Sequence, residues 1–232
     1  MSTARRFPLA LLGAALLLTS CRAEAPLPPG CALVPDGKCA GADLRMRNLG
    51  EAQLAGIDLS GADLSFALLR YADLRGADLA GAKLDYTELH HADLVNADLR
   101  NASLRRATLS HALLVGAVLT DAKAPQADFK VADLRHANLE RAVLDGSQMT
   151  GADLGDANLR GASLAGTHLG MSNMKGAALI GATLEGSTLH GALLFDALWL
   201  DGRRCVAGSL GRCRHAPVTE QIVQLDPRDA RR

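Results

Sequence analysis

The chain has 232 residues and carries 25 basic and 25 acidic side chains, so its formal net charge is zero. Hydrophobic residues make up 48% of it but aromatic residues only 3%, so Ala and Leu supply almost all of the apolar volume. Neutrality excludes a nucleic-acid binder that works through a strong basic field, and it argues against a wholly acidic mimic of nucleic acid. The length fits one domain with appended ends.

The N-terminus has the pattern of an export signal. Arg5 and Arg6 precede an apolar run over residues 7–18, which is too short to span a bilayer. The stretch Leu18-Thr19-Ser20-Cys21 resembles the lipobox of bacterial lipoproteins. This resemblance implies that residues 1–20 are a signal peptide and that Cys21 is lipidated. The alternative is an ordinary cleaved signal in which the Cys is incidental.

The residues after Cys21 bear on the location of the protein. By the same resemblance, Arg22 in place of Asp implies an outer-membrane lipoprotein that faces the periplasm, with a soluble periplasmic protein as the alternative. The pair Arg5-Arg6 fits both general and twin-arginine export. Residues 21–30 contain three prolines, which is typical of a short, stiff tether.

The four remaining cysteines form two pairs with the same spacing, Cys31 with Cys39 and Cys205 with Cys213. In an oxidising compartment, this arrangement predicts one disulfide in each pair. A zinc site is the alternative, although these gaps are longer than those of common zinc modules. We therefore expect a cap at residues 31–41 and a second at 202–232.

Between the caps the sequence repeats every five residues. Residues 42–201 form 32 unbroken pentapeptides; the central residue is Leu in 27 of them, the residue two before it is Ala in 25, and the last is Gly in 13. A period of five fits neither an amphipathic helix nor an alternating strand, so the chain must turn once per period. If each pentapeptide makes one side of a four-sided coil, twenty residues make one coil, in which the central residue and the small residue point inward and Gly favours the corner.

Runs such as A-D-L-R-G-A-D-L-A-G-A-K-L at 72–84 resemble the pentapeptide repeat family. The resemblance implies an all-β fold, a right-handed quadrilateral β-helix of about eight coils stacked through backbone hydrogen bonds. Beyond it, Val218, Ile222 and Leu225 have helical spacing and predict a short helix over 217–225 that packs near Trp199 and Leu200. A helix that docks a partner is the alternative.

Two features of the repeats predict local compensation. Ala124 replaces a central Leu, and Phe129 enlarges the next central position, which indicates an exchange of volume between them. Asp residues recur at twenty-residue steps and would repel one another. Arg follows two residues after Asp43, Asp73, Asp98 and Asp133, which predicts local neutralisation.

The twenty-residue step also places corner residues in columns. One column contains Met46, Phe66, Tyr86 and Arg106, and the next contains Glu51, Tyr71, His91 and His111. Aromatic, Met and Arg side chains are enriched at interfaces, so we predict a partner surface. Its residues are Met46, Phe66, Tyr86, Arg106, Tyr71, His91 and His111. Simple stacking along the edge of the solenoid is the alternative.

No motif for catalysis is present: the sequence has no phosphate loop, nucleophile elbow or zinc-protease pattern. His90, His91 and His111 lack a carboxylate partner, so we expect no metal site, and we expect no cofactor. We also expect no nucleic-acid partner, because aromatic platforms in a basic groove are absent. The sequence predicts a non-enzymatic cell-envelope lipoprotein, bound to the membrane through Cys21, which acts as a rigid scaffold or binds an unknown envelope protein.

Two other functions remain as alternatives. Some proteins of the resembled family imitate duplex DNA and bind gyrase, which gives fluoroquinolone resistance. Residues 42–201 hold 20 acidic and 14 basic side chains, a net charge of −6, which is small for such a mimic, and the export signal also argues against it. The third possibility is an enzyme accessory or a sensor of an unseen ligand.

Overall fold

The computed structural model describes residues 26–215. The predicted signal peptide, Cys21 and the predicted helix over 217–225 lie outside these residues. The described part contains no helix and no strand longer than a single bridge residue. Instead, isolated parallel bridges join each residue of a ladder to the residue twenty positions later, from Lys38 with Asp58 to Ala178 with Leu198. The predicted twenty-residue coil is therefore confirmed.

The bridges form four ladders, which we call sides A to D. They run in steps of twenty along side A from Asp43 to Thr183, side B from Asn48 to Thr188, side C from Gln53 to Leu193, and side D from Lys38 to Leu198. Corner AB joins sides A and B at residues 46 to 186, and corner BC lies at 51 to 191. Corner CD lies at 56 to 196, and corner DA at 61 to 201.

The core is a column of Leu flanked by Ala, as the repeat predicts. The central residue is buried in 29 of the 32 pentapeptides, and the residue two before it is buried in 30. The central residues that are only partly buried are Leu184, Leu189 and Trp199, all in the last coil. The hydrophobic column is thus closed along its length and less covered at its C-terminal end.

Backbone hydrogen bonds explain why the position before the central Leu is so often Asp. In the pentapeptide 72–76, three amides donate to carbonyls of neighbouring coils at 2.7–2.9 Å, and that of Ala72 donates across the corner to Leu69. The fifth amide, on Arg75, donates to Asp73 Oδ1 at 3.2 Å. Ten Asp and four Asn of the ladders accept this same bond from the residue two positions later. The Asp or Asn side chain therefore accepts a hydrogen bond from the one amide of the pentapeptide that has no backbone carbonyl as its partner.

The corners have left-handed backbone conformations, as their glycines predict. The last residue of the pentapeptide has a positive φ in 31 of 32 cases. Eighteen of these residues are not glycine, and they include the β-branched Val131 at φ 57°. A side chain at such a φ costs free energy, so the stacking of coils imposes this strain on many corners.

Both predicted disulfides are confirmed, with S–S distances of 2.01 Å for Cys31–Cys39 and 1.98 Å for Cys205–Cys213. The ladder already begins with Lys38, which lies within the residues that the sequence assigns to the N-terminal cap. Cys39 is buried in the core at the position that Leu44 takes in the next pentapeptide. The first disulfide thus ties the incoming chain to the first residue of the axial column.

The C-terminal cap covers half of the last coil. Arg204 pairs antiparallel with Leu198, and Leu210 pairs with Leu193, so the segment from 203 to 211 lies over sides D and C. Sides A and B end at Thr183 and Thr188, which have no bridge to a later residue in the part of the chain described.

Candidate interaction surface

The predicted aromatic columns are present as two stacks of rings. On corner AB, Phe66 and Tyr86 lie with ring centroids 4.9 Å apart and planes 2° apart. On corner BC, Tyr71 stacks on His91 at 4.9 Å, and His91 stacks on His111 at 4.8 Å. Because the rings cover one another's faces along the rod, they present their edges to the solvent.

The remaining two predicted residues extend the corner AB stack at both ends. Met46 lies one coil before Phe66 and is 65% exposed. Arg106 lies one coil after Tyr86, and its Nε donates a hydrogen bond to Gln126 Oε1 at 2.7 Å. All seven predicted residues therefore lie on two adjacent corners, as the twenty-residue step requires.

Side B forms the floor between the two stacks. Leu68 is 37% exposed there. Arg70 Nε donates to Glu88 Oε2 at 2.7 Å, and a hydrogen bond joins His90 Nδ1 and Ser110 Oγ at 2.6 Å. We call side B with corners AB and BC the ridged face. Its polar groups are largely paired with one another, which leaves apolar edges as its main unpaired feature.

The acidic excess of the repeats lies away from the ridged face. Within residues 42–201, sides C and D with corners CD and DA carry six basic and twelve acidic side chains. The ridged face carries four basic and three acidic side chains, and side A carries four and five. The net charge of −6 is thus equal to the summed charge of sides C and D with corners CD and DA.

Histidines are also unevenly distributed, but they concentrate on the ridged face. Five of the six His residues in 42–201 lie on the ridged face: His90, His91, His111, His168 and His190. The sequence analysis missed both segregations, although sorting the charged residues by their position within twenty would have shown them.

The predicted neutralisation of Asp by Arg is confirmed. In the four Asp-Leu-Arg units, a guanidinium nitrogen lies 2.5–2.6 Å from a carboxylate oxygen of the Asp two residues before it. The Arg45 hydrogen bonds lower the pKa of Asp43 to about 2. The matching Arg lowers the pKa of Asp73, Asp98 and Asp133 as well. These carboxylates thus serve the rod itself and are not a free acidic array.

Within residues 26–215, no group of three or more His, Cys, Asp or Glu side chains is placed to hold a metal ion. No helix among these residues is long and apolar enough to cross a membrane. What the ridged face offers is contact area: stacked ring edges, two exposed methionines, a leucine, a valine and paired charges.

Comparison with known proteins identifies relatives of the repeat. A sequence profile described as pentapeptide repeats matches in eight copies that together span residues 38–194. No curated protein matches the chain. HetL, a pentapeptide repeat protein involved in heterocyst differentiation regulation in the cyanobacterium Nostoc sp. strain PCC 7120, is 32% identical over 72% of this chain and 86% of its own, with a TM-score of 0.41.

Two further solved structures resemble the chain. QnrB1, a plasmid-mediated fluoroquinolone resistance protein, is 19% identical over 65% of this chain and 87% of its own, with a TM-score of 0.57. A pentapeptide repeat protein from the Arabidopsis thaliana thylakoid lumen is 27% identical over 62% of this chain and 85% of its own, with a TM-score of 0.23. The likeness to QnrB1 extends to the fold alone.

Proposed function

We propose that the chain, which belongs to the pentapeptide repeat family and therefore folds as a right-handed β-helix, is a non-enzymatic lipoprotein of the cell envelope. It acts as a rigid scaffold that is held at one end by lipid on Cys21 and offers the ridged face for docking. Coils stacked at the inter-strand spacing of ~4.8 Å make a rod of roughly 40 Å. The outer membrane, with the rod in the periplasm, is the proposed location.

The ridged face is the observation that carries the docking role. It gathers Phe66, Tyr71, Tyr86 and Met46, while the axis of the rod is filled by Leu and leaves no room for a substrate. The two disulfides support residence in an oxidising compartment, since such bonds rarely persist in the cytosol.

Labelling with palmitate tests the anchor. We expect the wild-type chain to incorporate label and the Cys21→Ala variant to lose it, because the lipobox resemblance places the acyl groups on that residue. The double variant Cys31→Ser/Cys39→Ser is the matched control and should keep the label. Label that persists in the Cys21 variant, or a wild-type chain that takes up none, would overturn the proposal.

A DNA mimic that binds gyrase is the less supported alternative. The likeness to QnrB1 is one of fold, and the four Asp-Arg pairs already occupy carboxylates that a mimic would present. In a supercoiling assay with purified gyrase, we expect the chain to have no effect with or without ciprofloxacin. Protection of gyrase from the drug would favour the mimic.

A further inference from the structure

We propose that the ridged face of the first three coils rests on a lipid headgroup layer, so that the rod lies along the membrane to which it is anchored. This inference depends on the envelope location in the proposed function and names the partner of the same face. The contact consists of Met46, Phe66, Leu68, Tyr71 and Tyr86.

The exposed apolar residues are confined to one face in this part of the rod. Between residues 42 and 112, five large hydrophobic side chains are exposed, and all five lie on side B or on its two corners. Phe66 and Tyr71 are 55% and 58% exposed. Sides A, C and D have none in the same span. A one-sided apolar strip on a rod is the arrangement expected of a surface that lies flat on a partner.

The orientation of the rings selects the kind of partner. Phe66 and Tyr86 cover each other, as do Tyr71, His91 and His111, so most ring faces are unavailable for stacking on sugars or bases. The edges of the rings remain available for contact. Amphipathic rings of this kind are enriched at the level of lipid headgroups, where an apolar body and a polar tip are both accommodated.

The charge distribution disfavours the approach of sides C and D to an anionic leaflet and leaves the ridged face free to approach it. Sides C and D with their corners carry twelve acidic and six basic side chains in residues 42–201, whereas the ridged face carries three and four. Anionic lipids would repel sides C and D, whereas they would not repel the ridged face. The ridged face is therefore the side suited to the membrane, and sides C and D are suited to solvent.

The apolar strip also lies at the anchored end. Residues 21–30 link the proposed acyl group to the first coil, and ten residues reach at most about 35 Å when fully extended. The coils that carry Met46, Phe66 and Tyr86 are the first three of the solenoid. They are consequently the part of the rod closest to the bilayer.

Vesicle flotation of a non-acylated chain tests the inference. The protein used in this experiment begins at Arg22 and lacks Cys21, so acylation cannot contribute. The vesicles contain phosphatidylglycerol and phosphatidylethanolamine in equal parts. We expect the wild type to float with the vesicles. The triple variant Phe66→Asn/Tyr71→Asn/Tyr86→Asn should lose at least about tenfold in apparent affinity. Asn fits these corners, because Asn96 and Asn101 occupy equivalent ones at φ 59° and 58°.

The matched control removes exposed apolar residues from another face. Leu113 and Leu193 are 43% and 39% exposed on side C, whose ladder carries an Asn at 173. We expect the Leu113→Asn/Leu193→Asn variant to float like the wild type, and circular dichroism should show all three chains folded.

Three results would overturn the inference. The wild type fails to float, the control variant loses as much affinity as the triple variant, or a photo-crosslinker near Tyr86 captures a protein and no lipid in intact cells. Loss of palmitate labelling in the Cys21→Ala variant together with a failure to float would leave the proposed lipoprotein standing and refute the lipid contact alone.

Discussion

Among single residues, Val131 is the corner at which side chain and backbone conflict most. Its φ of 57° lies in the left-handed region, where a β-branched side chain is strained. We expect Val131→Asn to raise the free energy of unfolding by roughly 1 kcal/mol. Thermal or urea unfolding would measure it.

The reverse change is the control. Asn96 has a φ of 59° on corner CD, so Asn96→Val should destabilise the rod by a similar amount. Equal stability of both variants and the wild type would show that the coils relax the strain instead of imposing it.

The Asp-Leu-Arg units predict how stability depends on pH. A carboxyl whose pKa is lowered by folding stabilises the native state above its ordinary pKa of about 4, and this contribution is lost as the pH falls towards the folded value. The hydrogen bonds from Arg45 lower the pKa of Asp43 to about 2, and Asp73, Asp98 and Asp133 are lowered in the same direction. We therefore expect the melting temperature to be level down to about pH 5 and to fall between pH 4 and pH 2.

A variant without the four cations separates this cause from general acid denaturation. With Arg45, Arg75, Arg100 and Arg135 changed to Gln, the pKa of each Asp should return towards its ordinary value. The variant should then lose less melting temperature than the wild type between pH 4 and pH 2. Parallel curves for the two chains would rule out the Arg contacts as the cause.

Among the elements of the fold, the coil that contains Ala124 and Phe129 tests whether the core is packed as one unit. Both side chains are buried, on adjacent sides of the same coil. Thr167 lies in the same column of small inward residues as Ser147. Its hydroxyl donates a hydrogen bond to the backbone carbonyl of Leu144, a central residue of the preceding coil, at 2.9 Å. Ser147, whose corresponding carbonyl is that of Ala124, is buried without a partner among the described residues.

A double-mutant cycle measures the compensation. We expect Ala124→Leu alone to destabilise the rod by about 1–3 kcal/mol through overpacking, and Phe129→Leu alone to destabilise it by about 1–2 kcal/mol through lost volume. The double variant restores two Leu and should be more stable than either single one, with a coupling energy above about 0.5 kcal/mol. Additive losses would refute an exchange of volume.

The sequence predicted the coil well because burial and chain period coincide in this fold. Once the five-residue step was found, the inward positions, the corners and the columns of Phe66 and Tyr71 followed by counting. The boundary at Lys38 did not follow, because Cys39 fills an axial position that counting Leu alone does not reveal. The hydrogen bond from the Arg75 amide to Asp73 was not predicted either. An amide without a backbone carbonyl partner can be recognised only when every hydrogen bond of the ladders is known.

Considered as a whole, the molecule is a rod with two distinct halves. One half has stacked rings and nearly balanced charge, and the other has the whole acidic excess of the repeats. A scaffold without direction would have no need of this division, whereas a rod that docks on one side does. The ridged face is therefore the side on which we propose that the rod docks.

Site-specific photo-crosslinking in intact cells tests whether the ridged face is the docking surface. A photo-reactive phenylalanine replaces Tyr86 on the ridged face or Asp156 on corner CD of the acidic half, both of which are exposed corner positions. If the ridged face docks a partner, we expect adducts with envelope components at position 86 and none above background at position 156. Equal crosslinking at both positions, or adducts at position 156 alone, would contradict it.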